Sequence, residues 1–251
     1  MTAENKTVDD QPQAVIDHLE EIRWRLIKSL AVVGLIAVLL YLIIDDLLPL
    51  ILKPIPKAVF IAPAEMFIAR IKLAIIGGIY FGAPFVLYEA WSFIAVALTP
   101  REKRSVAGTI FFSLILFNLG AVFAAFVIIP LGLEFLLSFA TEQVSATISI
   151  GKYISFVGFL ALTFGLVFQL PLVMVFMART GLIKPETFKE KRRAIIVFIF
   201  IAAAILTPPD PVTQCLMAIP LMVLYEIGMI LARISARKRA RRIEKDESEA
   251  A

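Results

Sequence analysis

Long apolar runs separated by short, charged clusters dominate this 251-residue chain. Six runs stand out, roughly at residues 26–44, 73–97, 106–129, 153–178, 194–206 and 216–232. A helix rises 1.5 Å per residue, so about 20 apolar residues cross roughly 30 Å of hydrocarbon. The first four runs meet that length. The last two fall short, at about 20 Å and about 25 Å as helices. Between them lies Thr207-Pro208-Pro209-Asp210-Pro211, in which Asp210 reads as an N-cap and Pro211 as the first helical residue. The pattern therefore predicts an all-α integral membrane protein of six transmembrane helices, ending in a short hairpin that stops below the far membrane face.

Basic residues orient the spans. With the N-terminus inside, 20 of the 25 Lys and Arg residues fall in inside segments and five in outside segments. Positive charge is retained on the cytoplasmic side, which predicts both termini inside. Two outside segments are long, residues 45–72 and 130–152, and together they suggest a cap over the hairpin. No basic, signal-like stretch precedes the first span, so that helix is expected to stay in the mature chain. Residues 1–12 read as a flexible acidic tail, 13–234 as the membrane domain, and 235–251 as a disordered charged tail.

Composition narrows the function classes. Hydrophobic residues make up 60% of the chain, and the mean hydropathy is +0.88, far above a soluble domain. One histidine, His18, and one cysteine, Cys215, lie far apart, which argues against a metal centre or a Cys-His nucleophile. Cys215 is expected to be a buried thiol. There is no phosphate-binding Gly-rich loop, no Ser-His pair and no nucleic-acid signature, so neither an enzyme nor a cofactor is expected. A secondary transporter is the alternative. It would need a midplane site, and only scattered Glu89, Gln169 and Glu226 are available, without an internal repeat.

The chemistry that remains sits near the basic, inside face. Residues 15–26 form an amphipathic helix with Val15, Leu19, Ile22 and Leu26 on one side. It is expected to lie along the inner surface and run into the first span. Glu21 is either an i,i+4 partner of Arg25 or a binding carboxylate. In the next inside segment Thr99 and Glu102 match a capping box, with Pro100 at the first helical position. Glu102 either only starts that helix or also presents its carboxylate outward. Glu89, Asn118, Gln169 and Glu226 interrupt apolar runs, where polar groups usually face a protein interior or a cavity. Gln169 precedes Pro171, which leaves a carbonyl one turn back without its amide. Gln169 either satisfies that loosened backbone or lines a groove. Glu89 and Glu226 either face such an interior or are helix-end carboxylates snorkelling toward the interface.

Several blocks, taken in order, resemble the TatC family, the core subunit of the twin-arginine protein translocase. They are His18-Leu19-Glu20-Glu21-Ile22-Arg23-Trp24-Arg25-Leu26, Trp91-Ser92-Phe93-Ile94-Ala95, the Glu102 loop, Phe168-Gln169-Leu170-Pro171, Leu206-Thr207-Pro208-Pro209-Asp210, and Ala218-Ile219-Pro220 with Tyr225-Glu226-Ile227-Gly228. The resemblance spans about residues 13–234. It implies a concave, glove-like bundle in the cell inner membrane. It implies recognition of twin-arginine signal peptides on folded cargo, and proton-motive-force-driven export with the single-span partners TatA and TatB. It also implies self-association in a receptor complex. Carried over by position, Glu21 and Glu102 resemble the carboxylates that receive the paired arginines, and Arg23, Phe93 and Leu98 would shape that patch. Leu206, Thr207, Pro208, Asp210 and Gln214 resemble the docking region for partner helices. One departure stands out: Gln169 occupies a position where many relatives carry glutamate. Glutamine hydrogen-bonds but does not ionise, so a neutral role is expected.

Overall fold

A computed structural model describes residues 10–55, 58–96, 100–141, 147–206 and 211–250, with side chains described outside 10–18, 96, 100–106, 206, 242–247 and 249–250. Helices α1 (Asp10–Leu42), α3 (Glu65–Val96), α4 (Pro100–Phe123), α6 (Ile150–Val167), α7 (Leu170–Thr180), α9 (Arg192–Leu206) and α10 (Pro211–Ala250) build the bundle. Shorter α2 (Ile44–Leu52), α5 (Ile129–Leu137) and α8 (Pro185–Glu190) lie between them. Among the described residues, five stretches are long and apolar enough to cross a membrane: Leu19–Leu42, Glu65–Ala95, Ala107–Leu137, Ile150–Thr180 and Pro211–Arg241. Leucine, isoleucine and phenylalanine stand exposed along them, as at Leu30, Leu42, Phe111 and Phe126. Such a surface suits lipid as solvent, and the chain is a multi-pass membrane protein.

Helix α9 has 15 residues, about 22 Å, and is short as its apolar run indicates. Its successor is not short. Helix α10 runs 40 residues and remains helical to Ala250, through the segment expected to be disordered from residue 235. Ala, Arg, Lys and Glu dominate that segment, and all are strong helix formers, so the apolar helix propagates into it. Helix α1 is likewise unbroken from Asp10 to Leu42. Residues 15–26 therefore extend the first span as one rod; no Pro or Gly lies between 15 and 33 to turn them along the surface.

Prolines punctuate the other spans. The third run continues past residue 129, since a π-helical turn at Ala124–Ile128 leads into α5. The Ile129 N–H reaches back five residues to the Ala124 carbonyl, and this widened turn accommodates Pro130, which has no N–H. The fourth run divides into α6 and α7 at Phe168-Gln169, two residues before Pro171. At the end of α7, Gly181 adopts φ +77°, and the Ile183 N–H closes the helix on the Met177 carbonyl at 3.3 Å.

Packing follows the small residues. Helices α1 and α3 run antiparallel and touch along Gly78 and Gly82. A Cβ at Gly78 would lie 2.7 Å from the Val33 carbonyl oxygen, and one at Gly82 would lie 2.9 Å from Val33 Cγ2. The absent side chains set the spacing of the two helices. A second core gathers Leu160, Phe164, Met174, Met217, Ala218, Leu221 and Tyr225, joining α6 and α7 to α10.

The two long loops expected outside do meet. Their residues Ala58–Val59 and Ile148–Ser149 pair as a two-residue parallel ladder. Glu65, in the first turn of α3, accepts from the N–H groups of Ile61 (2.6 Å) and Gly151 (3.0 Å) and from the Ser149 hydroxyl. Its carboxylate thus sits at the N-terminal ends of both α3 and α6, where the helix dipoles favour negative charge. Ser149 also caps α6 by accepting from Lys152 N–H.

Candidate functional site

Two carboxylates and one guanidinium meet at the basic end of the bundle, where α1 crosses the last turns of α3. Arg25 donates through Nε (3.0 Å) and Nη2 (2.7 Å) to Oε1 of Glu21, one helical turn earlier. Its Nη1 donates to Oε2 of Glu89 on α3 at 2.5 Å. Of the two readings of Glu21, the i,i+4 partnership with Arg25 forms, and a carboxylate from a second helix joins it. The seam of Gly78 and Gly82 lies about two to three helical turns away along α3 and brings the two backbones close together. Burial is graded. The side chain of Glu89 is 10% exposed, that of Arg25 23% and that of Glu21 31%. The triad therefore has a sheltered anchor and a wetter lip. Glu89 thus adds a second carboxylate to the Glu21–Arg25 pair.

Arg23 is exposed on α1, and Phe93 is half-buried one turn beyond Glu89 on α3. Glu102 belongs to the first turn of α4, which begins at Pro100 as the capping-box pattern predicts; its side chain lies outside the described residues. Leu98 and Thr99 also lie outside them. Since α4 starts four residues after α3 ends, the backbone of Glu102 stays near the end of the helix that carries Glu89 and Phe93. Of its two readings, Glu89 does not take the one that reaches freely toward the interface. Its carboxylate is drawn onto Arg25, because a charge so sheltered needs a partner. The sequence paired Arg25 with Glu21 but gave no sign that Glu89 would share Arg25. Its place inside an apolar run was the one signal that Glu89 needs a partner.

Gln169 is buried within a second polar group. Its Oε1 accepts from the Ser113 hydroxyl on α4 at 2.5 Å. Its Nε2 donates to the Ser113 carbonyl (3.0 Å) and, more weakly, to the Gly165 carbonyl (3.4 Å). Ser113 Oγ in turn accepts from Trp91 Nε1 at 3.1 Å. The Gln169 backbone N–H has moved to Leu166, so its side chain takes over the carbonyl that the helix would have used, and it ties the α6–α7 break to α4 and α3. These partners are all neutral.

Of the residues expected to dock a partner helix, Thr207, Pro208 and Asp210 lie outside the described residues, as does the side chain of Leu206, the last residue of α9. Gln214, in the first turn of α10, donates to the Phe200 carbonyl of α9 at 3.0 Å and so pins the hairpin. A mostly apolar cleft beside it is lined by Gly132, Phe156, Leu160, Thr213, Leu216 and Met217. Cys215, expected buried, is exposed; its neighbours Thr213 and Met217 face inward, and two residues along a helix turn a side chain to the other face. Glu226 pairs with Arg192 at 2.5 Å, and Tyr225 donates to the Phe188 carbonyl at 2.5 Å, so α10 anchors the α8–α9 segment. Among the described residues no group of His, Cys, Asp or Glu could hold a metal ion.

Comparison with known proteins places this arrangement among relatives. A family model described as Sec-independent protein translocase protein (TatC) matches residues 17–220. A protein of that name from Desulforapulum autotrophicum is 36% identical over 250 residues, covering 97% of this chain and 91% of the relative. One from Carboxydothermus hydrogenoformans is 38% identical over 231 residues, with 90% and 95% covered. One from Escherichia coli K12 is 36% identical over 242 residues, with 94% of each covered. A crystal structure of a twin-arginine translocase receptor, TatC, superposes with a TM-score of 0.79 at 35% identity, covering 87% of this chain and 99% of the other.

Proposed function

This chain belongs to the TatC family of Sec-independent protein translocase proteins, and on that premise we propose that it is the translocase subunit that receives the twin-arginine signal peptides of folded cargo. The observation that carries the reading is the Glu21–Arg25–Glu89 triad, an anionic spot at a basic end of the bundle. A guanidinium offers a planar fork of N–H donors that fits a carboxylate; an ammonium offers a point charge. Glu21 receives one arginine of the pair and Glu102 the other, with Arg23, Phe93 and Leu98 shaping the surface between them. Each charge-assisted hydrogen bond is worth roughly 1.5–3 kcal/mol when sheltered, and less where water reaches it.

The basic end faces the cytoplasm of the inner membrane, with both termini on that side, as the distribution of Lys and Arg favours. TatA- and TatB-type single-span partners dock at the α9–α10 hairpin, through Leu206, Thr207, Pro208, Asp210 and Gln214. The shortness of α9 supports this, because it leaves a ledge within the membrane. Gln169 acts as a neutral hydrogen-bonding residue that shapes the intramembrane surface. The proton motive force drives transport, and several copies associate in the receptor complex.

Photocrosslinking from position 21 or 102 to a signal peptide tests the central claim. An Arg-Arg peptide is expected to label strongly and a Lys-Lys peptide weakly. Equal labelling by the two removes guanidinium-specific recognition.

A further inference from the structure

We infer that Glu89 is a specificity-determining residue of the signal-peptide site: it is the alternate seat for Arg25 when a ligand's guanidinium takes Glu21. This rests on the reading of Glu21 as a receiving carboxylate. Arg25 already does to Glu21 what a signal arginine would do, with two of its N–H groups on one carboxylate oxygen. An incoming guanidinium therefore competes with one built into α1. Without Glu89, Arg25 would have no second carboxylate to turn to on leaving Glu21. The Glu89 Oε2 lies 2.5 Å from Nη1 of the same guanidinium, on the more sheltered side, and brings a further negative charge to it.

The geometry makes the exchange short. Arg25 is already shared between two helices, so releasing Glu21 requires only that its Nε and Nη2 let go while Nη1 stays on Glu89. No charge is stranded in the process: Arg25 keeps Glu89, and Glu21 gains the ligand. The internal guanidinium also sets a standard of fit. A ligand ammonium has to displace a planar fork that matches the carboxylate better than it does, so Arg25 sharpens the preference for arginine.

The test is peptide binding by the full-length protein in nanodiscs, read by fluorescence anisotropy with Arg-Arg and Lys-Lys signal peptides. Glu89→Gln is expected to weaken Arg-Arg binding about three- to tenfold, the effect of one unit charge acting over several ångströms in a partly hydrated site. Glu89→Asp should restore most of it. The double variant Arg25→Gln/Glu89→Gln, which leaves Glu21 without its internal competitor, should return to within about twofold of the parent. Arg25→Gln alone should bind both peptides more tightly and narrow the Arg-Arg over Lys-Lys preference. If Glu89 only clamped α1 to α3, the double variant would bind no better than Glu89→Gln. That result overturns the inference, as does a Glu89→Gln protein that binds like the parent. Should Glu89→Gln not fold, the narrowed preference of Arg25→Gln decides the matter, and an unchanged preference refutes the inference. Glu21→Gln separates the two levels: it should abolish Arg-Arg binding, and if it does not, the reading of Glu21 itself fails.

Discussion

Replacing Gln169 by leucine isolates what the break between α6 and α7 costs to hold. The side chain makes a short hydrogen bond at 2.5 Å, one of ordinary length at 3.0 Å, and a weaker one at 3.4 Å. Interhelical hydrogen bonds within membranes average about 0.6 kcal/mol, with an upper range near 2. Two of them contribute about 1–2 kcal/mol. The Gly165 carbonyl adds to this, because the backbone N–H four residues on has gone to Leu166, and leucine offers no replacement donor. A stranded buried acceptor costs about 1–2 kcal/mol more. Leucine is close to glutamine in volume, so no large cavity offsets or deepens the loss. The expected destabilisation is thus about 2–4 kcal/mol. It is measured as the difference in unfolding free energy of the purified full-length protein, titrated with denaturing detergent. Gln169→Glu should fall between leucine and the parent, since it keeps an acceptor for Ser113 but places an oxygen where the donating amide stood. Export of a folded reporter should decline in the same order. A leucine variant that unfolds within about 0.5 kcal/mol of the parent would falsify the claim that this network holds the break.

Other substitutions probe the remaining joints. Glu65→Ala removes the acceptor shared by Ile61, Gly151 and Ser149, so amide hydrogen exchange should quicken at residues 58–62 and 148–151 and stay unchanged along α10. Gly78→Ala forces a methyl group against the Val33 carbonyl and Ala37, with a cost of about 1–3 kcal/mol, whereas Gly34→Ala, which meets nothing within 4 Å, should be neutral or slightly stabilising; thermal unfolding of the pair tests the α1–α3 seam. Tyr225→Phe loses the bond to the Phe188 carbonyl and should cost about 1 kcal/mol, with faster proteolysis in the 181–191 segment as its local sign.

The sequence alone determined the solvent. Apolar runs of membrane length admit only helices with internally satisfied backbones, and the charge clusters between them mark where the chain re-enters water. It also marked the break at Pro171, which lacks an N–H, and the short α9, because its apolar run is short. Local signals were weakest where helices continue. Nothing in the tail composition forbids a helix once α10 is nucleated, so its extension to Ala250 was not legible as a boundary, and the same holds for α5 beyond residue 129. What tertiary structure decided was partnership. Sequence spacing pairs Glu21 with Arg25, but Glu89 joins them from 64 residues away, and Ser113 meets Gln169 across 56. Those contacts depend on which helix faces approach. That approach is set by interhelix packing, through glycines such as Gly78, and periodicity along one strand of sequence carries no information about it.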